Sequence, residues 1–442
     1  MIINENILHF LWKYGLYDRY KLRDNEGNLI TVISPGEYNR DAGPDFFNAR
    51  ISVAGTIWAG NIEMHVKSSH FNTHGHSSNP LYDNVILHVV AENDKRVYNS
   101  KGEEFFTTEL IFDKSLIEKY NRLINNPYVI ACQDDVGKID RIQQRNWLEA
   151  LAIERLEEKS VSALKIFSET NSNWEETFYR LLARYFGFRV NTEPFERLAR
   201  AVPLNIIRKH ADNRFQIESL LYGTAGLLDE GLFENALNDS YYKDLIKEYK
   251  ILSAKYSLQP LDGWIWKFAK LRPPNFPTIR ISQLAGLLAN STGLFSRILE
   301  AENISDLTGV FKPEASKYWN DHYVFGSKSK GKPKKAGAQA EDIILINSVI
   351  PAIYSYGKAR DMVCYTEKAA RFLESIKAEN NTVIKDWIKA GVKPDSALIS
   401  QALLQLREHY CRKRKCLECR IGFKLISSGK KMKEQEELIL EP

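Results

Sequence analysis

Apolar side chains at Ile7, Leu8, Leu11 and Trp12 recur at helical spacing and predict an opening helix over residues 3–15. A polar stretch then leads into the strand-like run Leu29-Ile-Thr-Val-Ile33. Strand signals return at Phe46–Val53, Ile57–Val66, Asn84–Val90 and Phe105–Phe112, punctuated by Gly55 and by the turn-rich stretches 72–80 and 99–102. Residues 1–130 therefore read as one α/β domain. From Ile139 the period changes: Trp147, Leu148, Leu151, Ala152 and Leu156 fall on one helical face, as do Phe178, Leu181, Leu182, Tyr185 and Phe186. Breaks at Pro203, at Arg272–Pro277 and at Gly326–Gly337 divide the remainder into helical regions over 139–320 and 338–429, followed by a charged tail at 430–442. The expected class is α+β, an N-terminal mixed sheet followed by a mostly helical region that ends in a Cys-rich knuckle. No internal repeat stands out.

Composition changes this picture little. With 44% hydrophobic and 26% charged residues, the 442-residue chain is neither disordered nor collagen-like. The opening has no basic leader and no long apolar run, so neither a signal peptide nor a membrane span is predicted, and a cytoplasmic protein with no membrane partner is expected. The oligomeric state is left open. Charge is more informative by position than in total. The net +5 conceals a stretch from Arg407 to Lys433 that alone carries +8, on a body that is mildly acidic. Such a patch can contact phosphates without reading sequence, and it makes nucleic acid the expected partner; the bland alternative is a solvated helix end.

The densest chemistry lies between Gly43 and Lys67. Side chains alternate across a strand, so Glu63, His65 and Lys67 are expected on one face, with Ile62, Met64 and Val66 on the other. Asp45, at the head of the preceding strand, is within reach of that polar face. Two carboxylates there can hold Mg2+ or Mn2+, and a neighbouring His or Lys can assist an attacking water, an arrangement suited to phosphodiester hydrolysis. The bland alternative is an edge strand with a solvated polar face.

The order helix, strand, Pro44-Asp45 at the head of a second strand, and Glu63 with His65 on a third resembles the PD-(D/E)XK nuclease superfamily over about the first 110 residues. That resemblance implies a restriction-endonuclease-like α/β domain, with Asp45 and Glu63 as ligands of a divalent cation. The superfamily lysine position is filled by His65, and Lys67 stands two residues further on. The reading it implies is a metal-dependent nuclease (a hydrolase), against a non-catalytic nucleic-acid-binding or assembly protein that keeps the fold. The stretch with Gly43–Phe46, Ile62–His65, His74-Gly-His76 and Tyr82–Val90 also resembles an uncharacterised bacterial family of unknown function over most of the chain.

Five of the nine histidines, His65, His70, His74, His76 and His88, fall between residues 65 and 88. Clustered imidazoles suit zinc or manganese, which opens a third reading, a small-molecule metallohydrolase. His74 and His76 are expected to orient a phosphate or a metal ligand, and His88 to be a core histidine satisfied by a hydrogen bond. Near the C-terminus, His409, Cys411, Cys416 and Cys419 form a His-x-Cys-x4-Cys-x2-Cys knuckle that suits zinc, with unmetallated thiols as the bland case. The alternative is an iron–sulfur cluster that takes Cys364 as a further ligand. Candidate contacts to a nucleic-acid backbone are Lys328, Lys330 and Lys332 on a Gly/Lys loop, and Arg412, Lys413, Arg414 and Lys415 in the knuckle. The loop nearly spells a nucleotide-binding motif, but Pro333 stands where the magnesium-binding hydroxyl is needed.

Overall fold

A computed structural model describes residues 3–188, 190–289 and 293–428. The tail at 430–442 lies outside the described residues. The chain divides into two compact units: Met1–Trp147 with Lys385–Lys393 and Leu406–Pro442, and Leu148–Ile384 with Pro394–Gln405. The knuckle thus belongs to the unit that contains the N-terminal sheet.

The first unit is α+β. Its elements are α1 (Glu5–Lys13), β1 (Ile30–Ser34), β2 (Glu37–Tyr38), β3 (Phe46–Val53), β4 (Thr56–Lys67), α2 (His70–Thr73), β5 (Val85–Glu92), β6 (Thr107–Glu109) and α3 (Lys114–Ile124). Asn4 caps α1 by accepting the Ile7 N–H, and Ile7, Leu8, Phe10, Leu11 and Trp12 are buried, as the apolar spacing requires. The sheet runs β1-β3-β4-β5-β6, with the short β2 also paired to β3. β1/β3 and β3/β4 are antiparallel, whereas β4/β5 and β5/β6 are parallel.

Two local features fix the register near the chemistry. Ala54 and Gly55 both take positive φ, 48° and 83°, the signature of a two-residue hairpin turn matched to strand twist, and Val53 pairs with Thr56. A bulge between Phe46 and Ala49, with Asn48 at φ 56°, then leaves Phe46 opposite Ile62, so the head of β3 meets the middle of β4. A parallel β4/β5 pair needs a long crossover, here residues 68–84, which carries His70, His74 and His76. Phe71, Tyr82, Val85, Val97 and Phe105 form a small apolar core under that crossover, separate from the main core beneath α1.

The second unit is helical. Its helices pack closely enough that a Cβ at Gly223, in the helix Arg214–Thr224, would meet the Tyr249 ring at 2.1 Å. Gly223→Ala is expected to destabilise this unit by about 1–3 kcal/mol through overpacking, read as a lower chemical-denaturation midpoint. An unchanged midpoint would show that the ring moves aside freely. Trp266 is buried and donates its indole N–H to the Ala225 carbonyl at 2.7 Å; Arg280, also buried, stacks 3.8 Å from the Phe188 ring centroid and bonds Gln283 and Asn275. Trp266 and Arg280 thus pack the unit's interior.

Candidate active site

Glu63 and His65 stand on β4, a central strand between β3 and β5, and both are buried, 4% and 1% exposed. The crossover covers the face that alternation alone would leave to solvent. Asp45, just before β3, lies directly beside them. Its backbone N–H donates to Glu63 Oε2 at 3.2 Å, and its own Oδ2 accepts the Met64 N–H at 2.8 Å. The two candidate carboxylates are therefore brought together, each bonded to the other's strand.

Imidazoles surround the far side of Glu63. His65 Nε2 lies 3.7 Å and His76 Nε2 3.4 Å from Glu63 Oε1, and His65 Nε2 lies 3.2 Å from His74 Nδ1. One nitrogen each from His65, His74 and His76 all fall within 4.8 Å of one another, and a second such group is Glu5, His70 and His74. His88 is fully buried, and its Nε2 lies 3.0 Å from His65 Nδ1. If His65 donates its Nδ1 proton there, its Nε2 lone pair is left facing Glu63, His74 and His76, the tautomer a metal ligand needs. His88 is thus a buried, hydrogen-bonded histidine whose partner is a member of the site. Tyr82 stacks on the His76 ring at 4.0 Å.

Burial, reinforced by the Asp45 charge, raises the Glu63 carboxyl from 4.5 to about 9. Burial lowers His65 to about 2 and His88 to about 3, with the neighbouring imidazoles adding to the effect. Burial thus favours a protonated Glu63 carboxyl packed among neutral imidazoles.

Lys67 is not part of this cluster. It continues along β4 to pair with Glu92 at 3.1 Å, and its side chain is 43% exposed. Beside the cluster stand His9, Lys13 and Arg40, which the sequence pattern did not single out, and Lys413–Lys415, which it did. His9, on α1, places Nε2 3.2 Å from Asp45 Oδ2, close but not aligned as a hydrogen bond. His9 also lines a cavity of about 460 Å3 together with Lys13, Arg40, Lys413, Arg414 and Lys415. Lys13 is held below its usual pKa by burial and by Arg40, as expected where cations crowd.

Other candidates have local partners. Arg412 pairs with Glu408, Lys415 with Glu418, and Arg414 donates to the Asn126 and Val129 carbonyls. In the helical unit Lys328 stands on a short exposed hairpin strand; Lys332 donates its backbone N–H to the Asn320 carbonyl, and Lys330 lies between them in the same loop. Cys364 is exposed in the helix Val363–Ser375 of the helical unit, and His409 shares the π-helical turn Leu406–Cys411 with Cys411.

No helix among the described residues is long and apolar enough to cross a membrane. A family profile described as "Protein of unknown function (DUF2851)" matches residues 5–382. No curated protein and no solved structure matches the chain.

Proposed function

The chain belongs to the DUF2851 family, whose description assigns no activity, and we propose that its N-terminal unit is a metal-dependent phosphodiesterase acting on nucleic acid. The observation that carries this reading is the shared position of His9, which touches Asp45 on one side and lines the cavity of Lys13, Arg40 and Lys413–Lys415 on the other. Carboxylates that can hold a cation thus adjoin cations that can hold a polyphosphate backbone. The order of α1, β1, Pro44-Asp45 before β3 and Glu63 on β4 is consistent with the nuclease-like resemblance.

The donors fit a divalent ion. Glu63, His65, His74 and His76 would hold it, with Asp45 alongside, and imidazole-rich sites suit manganese or zinc better than magnesium. Bound there, the ion would polarise a phosphoryl oxygen and acidify a water. The chain's own residues do the rest. Lys13, Arg40 and Lys413 hold flanking phosphates; Asp45, partly exposed, takes the proton of the attacking water; His65, kept neutral by burial, stays a ligand at any working pH.

Labelled single- and double-stranded DNA and RNA, incubated with Mn2+, Mg2+, Zn2+ or EDTA, test this. Cleavage that needs metal and disappears in Asp45→Ala is expected. Retained binding with no cleavage by the wild type under any metal would instead favour a non-catalytic nucleic-acid-binding protein. The three converging imidazoles favour a second reading, a small-molecule metallohydrolase, which predicts turnover of simple phosphate esters without polynucleotide affinity.

A further inference from the structure

Four of the five cysteines meet in the first unit, although Cys132 is separated from the other three by some 280 residues of sequence. Cys132 follows α3 in the loop that turns at Asp135 and Val136, both of whose N–H groups bond the Cys132 carbonyl. Cys411 closes a π-helical turn, Cys416 sits in the tight loop after it, and Cys419 caps the helix Arg420–Ser427. All six pairs among these thiols lie within electrostatic reach of one another. All are free, none is more than partly exposed, and Cys419 is 8% exposed.

The surroundings are built to hold this meeting point. Arg414, in a left-handed conformation at φ 54°, donates to the Asn126 carbonyl at 2.5 Å and the Val129 carbonyl at 3.5 Å, which ties the loop bearing Cys132 to the turn between Cys411 and Cys416. A Cβ at Gly422 would meet the Cys416 carbonyl at 2.0 Å, so only glycine lets the helix approach that loop. Cys419 stands at the head of that helix, beside the Trp147 indole. That indole N–H is buried and has no hydrogen-bond partner among the described residues. A buried, unpartnered N–H beside Cys419 and four neighbouring thiols suit a bound cation, which would hold the sulfurs as thiolates.

We propose that Cys132, Cys411, Cys416 and Cys419 are the four ligands of a thiolate-bound metal centre that closes the wall of the basic cavity. The centre does not depend on the activity proposed above. Its consequence for the site is positional: Lys413–Lys415 lie on the loop between two of its ligands, so the centre fixes where those cations stand. Cys132 takes the place that sequence spacing offered to His409 or Cys364. A zinc ion and an iron–sulfur cluster both use such a donor set.

Metal and acid-labile sulfide are measured on full-length protein purified without oxygen. Either one zinc per chain, or iron with matching sulfide and visible charge-transfer absorption, is the expected result, and the two arms identify the occupant. Cys132→Ser and Cys419→Ser should lose that metal by roughly tenfold or more, while Cys364→Ser and His409→Ala keep it. Because a ligand variant can fail to fold, Co2+ is also added to metal-stripped wild type, where thiolate-to-cobalt charge-transfer bands are expected. Wild type that holds neither zinc nor iron and gives no cobalt bands would overturn the proposal, as would a folded Cys132→Ser protein that retains its metal.

Discussion

Glu63→Gln is expected to abolish metal-dependent cleavage and, at the same time, to make the metal-free protein more stable. In the unfolded chain this carboxyl loses its proton above about pH 4.5, whereas the folded protein keeps it to about pH 9. The folded state therefore holds more protons across that window, and wild-type stability falls as pH rises through it. Glutamine stays neutral and can still offer an oxygen to the Asp45 N–H that now bonds Glu63. It removes a penalty on the order of 3 kcal/mol at pH 7. Mn2+ reverses the ranking. At a hundredfold excess over its dissociation constant it should stabilise the wild type by about 2.7 kcal/mol and leave Glu63→Gln unmoved. Denaturation midpoints between pH 5 and 8.5, with and without Mn2+, give both readings. A variant less stable than wild type without metal at pH 8, or equally stabilised by Mn2+, would contradict this account of Glu63.

Removing Lys13, Arg40 and Lys413 together, each as alanine, is expected to weaken nucleic-acid binding about 10- to 100-fold near 0.1 M salt. It should also flatten the salt dependence, because each lost phosphate contact lowers the slope of log affinity against log salt by about 0.9 on duplex DNA. These side chains line one cavity but come from α1, from the loop before β3 and from the C-terminal segment. Equal affinity and an equal slope in the triple variant would show that phosphates do not sit there. Fluorescence anisotropy across a salt series distinguishes the outcomes.

Much of the sheet was legible because its signals are local. The run Phe46–Val53, the turn at Ala54-Gly55 and the alternation through Lys67 specify a hairpin, and the pairing of Val53 with Thr56 agrees with it. Asp45 and Glu63 could be placed side by side from that hairpin alone. Alternation could not show that the face is covered, because the cover is the crossover 68–84, pinned by Phe71 and Tyr82 on a separate small core. It therefore grouped Lys67 with Glu63, although Lys67 reaches beyond the covered zone to Glu92. His9 carried no signal in the sequence pattern; its place beside Asp45 depends on where α1 packs against the head of β3. Cys132 had no neighbouring cysteine to mark it, and only tertiary contact joins it to the C-terminal three. The +8 stretch was visible as a charge run, but the nearness of Lys413–Lys415 to His9, the neighbour of Asp45, was not, since more than 350 residues of sequence separate them from Asp45.

The most direct measurement of the central claim is anomalous diffraction from crystals of the protein grown or soaked with Mn2+. The account predicts a peak within bonding distance of a Glu63 carboxylate oxygen and of the imidazole nitrogens of His65 and His76, absent from Glu63→Gln crystals. Full Mn2+ occupancy elsewhere with nothing at Glu63, or an unchanged peak in the variant, would contradict it.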